Sequence, residues 1–478
     1  MSYITEGCQP KRVFEIFEDI CSIPHGSGNE AGVAKYIENF AKNLGLECYI
    51  DKTGNVFVKK AACAGYEHRD CVLLQGHMDM VCEKNPGTEH DFERDGLDLF
   101  VEGGLLGAHG TSLGGDNGIA VAMMLAILEG DEHPALECLF TVEEETGLAG
   151  AKGFDCSQIS AQKMINLDSE QDNTVTAGCA GGVRTEAVFS SVKVDLQSPR
   201  DAFEISVGGL AGGHSGADIN SGRANALVLL ARILQRVFSE QKIWLCDING
   251  GGKDNAIARQ GSAVVICEDA TLFEKSVLDE TAKIKKELCS ADSNFEVGLL
   301  GCNVSACFKL KDTQRILGFM SLVKTGVLKF SNDIDGLVEY SRNLGIAQTE
   351  GGRVIFTLSS RSSVEAQIDY SCRELDMISN LFGAQNRHYS RYPGWEFNAN
   401  SKLREEYLDE YEKLFGIRPA VEVIHAGLEC GIISSKRPGL DIISIGPNMY
   451  DIHSPAERLD IASCEKIWKV IKAYLALK

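Results

Sequence analysis

Five stretches of this chain place acids or histidines directly behind a short apolar run or at the mouth of an apolar helix. They are Gly76-His77-Met78-Asp79 after Val72–Leu74, Leu113–Gly118 before Ile119–Leu128, Glu143–Gly147 after Leu136–Val142, Ile165–Glu170 at the end of Met164–Leu167, and Asp451–Glu457 after Asp441–Ile445. Short apolar runs bounded by glycine and polar residues read as buried strands. Where such strands alternate with helices, the chain is constrained to an α/β sheet. Polar groups just past the strands then gather on one rim of the sheet, the place where open α/β folds bind ligands.

The rest of the pattern fits that frame. Val33, Ile37, Phe40, Ala41 and Leu44 recur at helical spacing, so residues 30–44 read as an amphipathic helix. Cys48–Ile50 and Val56–Val58 read as strands. In the middle of the chain, strands are expected at 203–207, 243–247, 263–267 and 354–358, with helices at 224–238, 272–288 and about 364–381. The tail returns to helix 402–415, strands 421–424 and 441–445, and helix 461–475. The strand and helix signals of the middle recur like a doubled unit, without a strict repeat. One domain split in sequence, 1–184 with 395–478, is therefore expected, and 185–394 is inserted into it.

Composition narrows the function. Lys plus Arg is 47 against 68 for Asp plus Glu, a net charge of −21. That balance argues against nucleic acid or an anionic membrane as partner, because both need a basic footprint. No apolar run approaches a membrane span, and the first residues lack the apolar core of a secretory signal. The 17 cysteines include no Cys-x-x-Cys pair. They read as small hydrophobes in a reducing compartment, and the expected location is cytoplasmic.

Taken singly, each polar segment has an ordinary explanation. His77 is a strand-end histidine, with Asp79 on the same side of the strand. Asp116 is a helix cap. Glu143–Glu145 are solvated charge, and His453 is a surface histidine. Together they put two histidines and several carboxylates on one rim. Histidine and carboxylate donors without cysteine suit zinc or another divalent first-row ion. Five donors with one carboxylate shared suit two ions ~3.5–4 Å apart.

In this order, GHMD, LGGDNGIA, EEETG, INLDSE and IHSPAE resemble the metal-site motifs of the co-catalytic zinc exopeptidases related to aminoacylase and bacterial dipeptidases. IPHGSGNE, HDF at 90–92, GLAGGHSGADI, GGGKDNAIAR, RSS at 361–363 and HAGLECG extend the likeness over nearly the whole chain, toward the aminoacyl-histidine dipeptidase family. The resemblance implies a mixed sheet flanked by helices, with an inserted α/β lid domain of doubled strand–helix units. It implies that His77, Asp116 and Asp168 hold one ion, and that Asp116, Glu145 and His453 hold the other. Asp79 would orient His77, and Glu144 would be the general base. The family pattern has two acids, one residue, then glycine. Counting back from Gly147 gives Glu144 and Glu145, and leaves Glu143 as an extra acid. His214, Asn255 and Arg361 of the lid would meet the substrate. Ser112 replaces a threonine often found there. The implied cofactors are two divalent ions per chain, zinc with manganese or cobalt as substitutes. The implied activity is hydrolysis of unblocked dipeptides, Xaa-His and broader, by a metal-activated water. The implied partner is a small peptide substrate, and the sequence leaves a homodimer open.

Rival readings follow from other segments. Gly26–Ala31 fits the G-x-G-x-x-A dinucleotide fingerprint, but a helical pattern and Pro24 precede it where a strand is required. Gly213-His214-Ser215-Gly216 lacks the glycine a nucleophile elbow needs, since Ala217 stands there. A non-catalytic metal-binding protein on a peptidase fold is a third class. An N-acyl amino acid deacylase or a carboxypeptidase is the nearest enzymatic alternative, and the metal ligands alone do not separate these from a dipeptidase.

Overall fold

In the computed structural model, which describes residues 3–332, 334 and 336–478, the chain divides into two compact units. The first comprises the chain up to Cys179 with Trp395–Val423 and Leu428–Lys478. The second comprises Ala180–Gly394 with Ile424–Gly427. Among the described residues no helix is long and apolar enough to cross a membrane.

The first unit is built on an eight-stranded mixed sheet. In spatial order its strands are Glu47–Ile50, Val56–Lys60, Leu136–Thr141, Val72–His77, Lys163–Asn166, Asp441–Ser444, Thr174–Cys179 and Ala420–Ile424. The four middle strands, from Leu136–Thr141 to Asp441–Ser444, run parallel. They are buried on both faces, as parallel strands between helices must be. The helices Lys11–Cys21, Ala31–Asn43, Gly115–Leu128, Lys402–Phe415 and Ile461–Leu475 supply the apolar cover. The helix Gly115–Leu128 is buried around nearly its whole circumference, which explains its lack of a polar face.

A smaller four-stranded sheet matters for the site. Its strands Met449–Tyr450 and Arg458–Asp460 pair antiparallel, so residues 451–457 form the loop of a hairpin. Arg458–Asp460 also pairs with Leu105–Ala108, which anchors that hairpin.

The second unit holds a nine-stranded antiparallel sheet, with the helices Ala226–Glu240, Ala270–Glu287, Leu310–Leu322 and Glu365–Phe382. Ile205, Leu230, Leu234, Val265, Phe273 and Phe356 lie in its core. The strand expected at 203–207 extends over Val194–Gly208, and two long strands, Glu296–Cys307 and Val338–Glu350, were not expected at all. Much of Val194–Gly208 and Glu296–Cys307 is solvent-exposed, so polar residues continue the strand beyond any hydrophobic signal.

Two local expectations are corrected. The strand carrying His77 ends at that residue, so Asp79 lies in the following loop rather than on the strand. Asp116 is not a helix cap. Gly114 holds the cap position in the left-handed region at φ 66°, and Asp116 is itself non-helical, with φ −81° and ψ 103°. All 17 cysteines are free.

Candidate metal centre

The parallel strands end on one rim, and the loops that leave them carry the acids. Val72–His77 delivers His77 and then Asp79, Leu136–Thr141 leads into Glu143–Glu145, and Lys163–Asn166 leads into Asp168. Two features draw these loops together. Gly76 is required because a Cβ there would stand 2.5 Å from Asn117 Oδ1. With that space open, Asn117 Oδ1 accepts the His77 N–H at 3.2 Å, and its Nδ2 donates to the Leu167 carbonyl at 2.7 Å. One buried amide therefore ties the His77, Asp116 and Asp168 segments to each other.

Asp116 stands between two imidazoles. Its Oδ1 lies 3.1 Å from His77 Nε2 and its Oδ2 lies 3.1 Å from His453 Nε2. Asp168 Oδ1 lies 3.2 Å from His77 Nε2, and Glu145 Oε1 lies 2.9 Å from His453 Nε2. His77, Asp116 and Glu145 each offer a donor atom within 4.8 Å of the others.

The tautomer of His77 decides what this geometry needs. Its Nδ1 donates to the Asp79 carbonyl at 3.0 Å, so in the neutral ring Nε2 carries the lone pair. That lone pair faces carboxylate oxygens of both Asp116 and Asp168. Three electron-rich atoms cannot share that space unless a proton or a metal cation lies among them. The donor set fits a divalent ion: imidazole nitrogen and carboxylate oxygen, with an outer hydrogen bond fixing the ring.

The electrostatics say the same. Burial disfavours the imidazolium of His77, but the charge of Asp168 and hydrogen bonds with Asp116, Asp168 and Asp79 hold it well above its ordinary value. Hydrogen bonds to Asp116 and Glu145 push His453 up to about 10. Burial opposes ionisation of Asp116, yet hydrogen bonds from His453 and His77 keep it well below the usual carboxylate range. Burial pushes Asp168 up to about 7 and holds Glu144 well above its ordinary value.

The acid triplet has a fixed register. Asp79 Oδ1 accepts the Glu144 N–H at 3.0 Å and Oδ2 accepts the Glu145 N–H at 3.2 Å. Glu143 has φ 48°, and its N–H donates to Glu30 Oε1 at 3.0 Å. Ser27 Oγ donates to Asp79 Oδ2 at 2.7 Å. The IPHGSGNE segment thus buttresses the acid loop, and the dinucleotide reading of its glycines has no strand before it: Lys11–Cys21 is a helix.

Several residues here escaped the sequence. Glu429 is buried, with Oε2 accepting from Gln75 at 2.5 Å and Thr141 at 2.7 Å, and burial raises it to about 7. Glu457 accepts from the backbone of Leu113, Gly114, Gly115 and Asp116. Both sit in motifs that stand out by their neighbours, HAGLECG and IHSPAE.

The second unit gathers the other expected residues. His214 pairs with Ala256 in a short ladder, and the carbonyl of Asn255 accepts the Ser215 N–H at 2.8 Å. His214 Nδ1 accepts from the amides of Gly216 at 3.3 Å and Ala217 at 3.1 Å, so its proton is on Nε2. Arg361 is buried and donates from Nη1 to Tyr392 Oη at 2.9 Å. His425, missed by the sequence, joins them, with Nε2 2.7 Å from Ser341 Oγ. Burial, with the charges of Arg361 and His214, pushes His425 down to about 3.

Comparison with known proteins accords with this construction. Residues 73–477 match the profile of Peptidase family M20/M25/M40. The chain is 36% identical over 471 residues to the cytosol non-specific dipeptidase of Escherichia coli K12, covering 98% of this chain and 97% of that one. It superposes on the crystal structure of aminoacylhistidine dipeptidase from Vibrio alginolyticus with TM-score 0.93 and 34% identity, over 99% of this chain and 98% of that one. An aminopeptidase from Bacillus cereus shares the fold, with TM-score 0.57 and 15% identity, over 98% of each chain.

His425 generates a prediction. Unfolded, it titrates near 6.5; folded, at about 3. Between those values the unfolded chain holds a proton that the folded one lacks, so stability falls as pH drops from 6.5 toward 3. His425→Gln should remove that contribution, at most about 1.4 kcal/mol per pH unit. Urea unfolding at pH 7 and pH 5 measures it: the wild type should lose more stability over the interval than the variant.

Proposed function

This chain belongs to Peptidase family M20/M25/M40 and is a hydrolase acting on peptide bonds, and from that premise we propose metal-dependent hydrolysis of unblocked dipeptides, the Xaa-His type among them. The observation that carries the metal is the His77 Nε2 lone pair set against Asp116 and Asp168. The end-to-end similarity to two dipeptidases supports the substrate class. We assign the reaction to the cytosol, following the name of the E. coli relative.

In this reading His77, Asp116 and Asp168 hold one ion, while Asp116, Glu145 and His453 hold the second. Zinc is the ion we assign, with manganese or cobalt able to substitute. Two such ions supply Lewis acidity for the attacking water and the scissile carbonyl. Glu144 takes the proton from water and passes it to the leaving amine. Its buried position suits that task, because a base works best with a pKa near the working pH. Asp79 contributes by position: one carboxylate holds the amides of both Glu144 and Glu145 and faces the His77 ring at 3.4 Å.

The second unit supplies groups that recognise substrate. His214 presents Nε2–H, a donor for the developing oxyanion. Arg361 presents a cation for the free C-terminal carboxylate. Asn255, beside the His214 ladder, adds an amide for the peptide.

The test is turnover of a panel containing unblocked dipeptides, one of them Xaa-His, and an N-acyl amino acid, before and after chelation. Dipeptide hydrolysis should vanish on chelation and return with zinc, manganese or cobalt. Full activity in a metal-free preparation, or preference for the N-acyl substrate, would overturn the reading.

Glu144→Gln should keep both ions and lose roughly 10²–10⁴-fold in kcat, since an amide cannot accept the proton. Glu145→Gln should instead lower metal content, read by elemental analysis alongside kcat.

Amidating the dipeptide's carboxyl should reduce kcat/KM about 10- to 150-fold, the worth of a charge-assisted hydrogen bond. Arg361→Ala should erase that difference by slowing only the free acid. His214→Ala should lower kcat on both substrates.

A further inference from the structure

We propose that Glu457 is a positioning residue: its carboxylate closes on the turn Leu113–Asp116 and so sets Asp116 between His77 and His453. The proposal rests on the two-ion reading above and adds a residue that neither binds an ion in that reading nor touches the substrate.

Glu457 is buried, only 3% exposed. Its Oε2 accepts the N–H groups of Leu113 at 2.8 Å and Gly114 at 3.2 Å. Its Oε1 accepts those of Gly115 at 2.9 Å and Asp116 at 3.4 Å. Four consecutive amides therefore point at one carboxylate. A run of amides turned the same way needs an unusual backbone, and the left-handed Gly114 provides it.

An ordinary explanation is that Glu457 simply caps the helix Gly115–Leu128 from a distant part of the chain. Two facts go beyond it. The held turn contains Asp116, whose φ and ψ are not helical, so the carboxylate fixes the ligand's own backbone. The carboxylate also comes from the hairpin loop that carries His453. That loop is closed by the Met449–Leu459 and Tyr450–Arg458 pairs and by the Glu457 N–H on the Ser454 carbonyl at 3.1 Å. The result is a ring of contacts. His453 meets the side chain of Asp116, and Glu457, four residues on, meets its backbone. Neither partner can shift without straining the other contact.

This assigns a specific fault to Glu457→Gln. A glutamine keeps one oxygen for the amides and turns an NH₂ group toward the others, donor against donor. The turn should loosen where Asp116 leaves it. Gly115→Ala perturbs the same contact from the other side, because its Cβ would stand 3.3 Å from Glu457 Oε1. Ser401→Ala serves as the stability control, since Ser401 caps the helix Lys402–Phe415 by accepting the Arg404 N–H at 3.0 Å.

The experiment measures zinc stoichiometry and affinity of the full-length chain by competition with a chromophoric chelator, and the visible spectrum after cobalt substitution. Wild type should take up two ions. Glu457→Gln should bind the second at least tenfold more weakly, with an altered cobalt spectrum and a lower kcat at similar KM. Ser401→Ala should lose thermal stability while keeping wild-type affinity and spectrum. Wild-type affinity and spectrum in Glu457→Gln would overturn the role, whatever its thermal stability. If Glu457→Gln does not fold, Gly115→Ala decides by the same two readouts. A wild-type chain that binds fewer than two ions would refute the two-ion reading itself, and the role with it, separately from any result with the variants.

Discussion

Asp116 lies 3.1 Å from an imidazole on either side, and nearly everything else at this rim follows from keeping it there. Its neighbours Asp168, Glu144 and Glu145 are carboxylates brought close together with little water. Left alone they repel, and burial makes Asp168 and Glu144 harder to ionise. The sheet puts them there regardless, because parallel strands end together and their loops have nowhere else to go. The gathered negative charge is therefore a standing demand for cations. Two imidazolium rings can meet part of it, and divalent ions meet it more fully.

A second set of carboxylates does different work. Asp79, Glu30 and Glu457 each accept from two or more backbone amides of the loops around the centre. Each holds a loop that has no regular secondary structure to stiffen it. A backbone amide is a fixed donor, so a carboxylate gripping two or more of them leaves the loop few conformations. That accounts for the positive φ at Glu143, which side chains other than glycine seldom adopt without such restraint.

The sequence made the sheet readable because its apolar runs are short and cleanly bounded. Helices 402–415 and 461–475 stand where their periodicity put them. In the second unit the strands at 203–207, 243–247, 263–267 and 354–358 were readable in their apolar runs, whereas Glu296–Cys307 and Val338–Glu350 were not legible as strands; the open face of Glu296–Cys307 mixes Glu296, Asn303 and Ser305 with glycine and an exposed Leu300, and so gives no clean alternation. At the site, residues in strand-end motifs came into view, as His77, Asp116, Glu145, Asp168 and His453 did. Glu429, Glu457 and His425 did not, since their meaning depends on partners far away in sequence, such as Gln75 for Glu429, Leu113 for Glu457 and Ser341 for His425. A buried glutamate looks like a surface one until the chain is folded around it.

The strand Asp441–Ser444 lies inside the sheet, between Lys163–Asn166 and Thr174–Cys179, although it is made long after both. The hairpin that carries His453 and Glu457 follows it. During synthesis, then, the early strands must wait with a gap between them, and the acids on the rim wait without their second histidine. A chain cut short before that hairpin would leave Asp116 with one imidazole neighbour instead of two, and the turn Leu113–Asp116 without the carboxylate its amides point to.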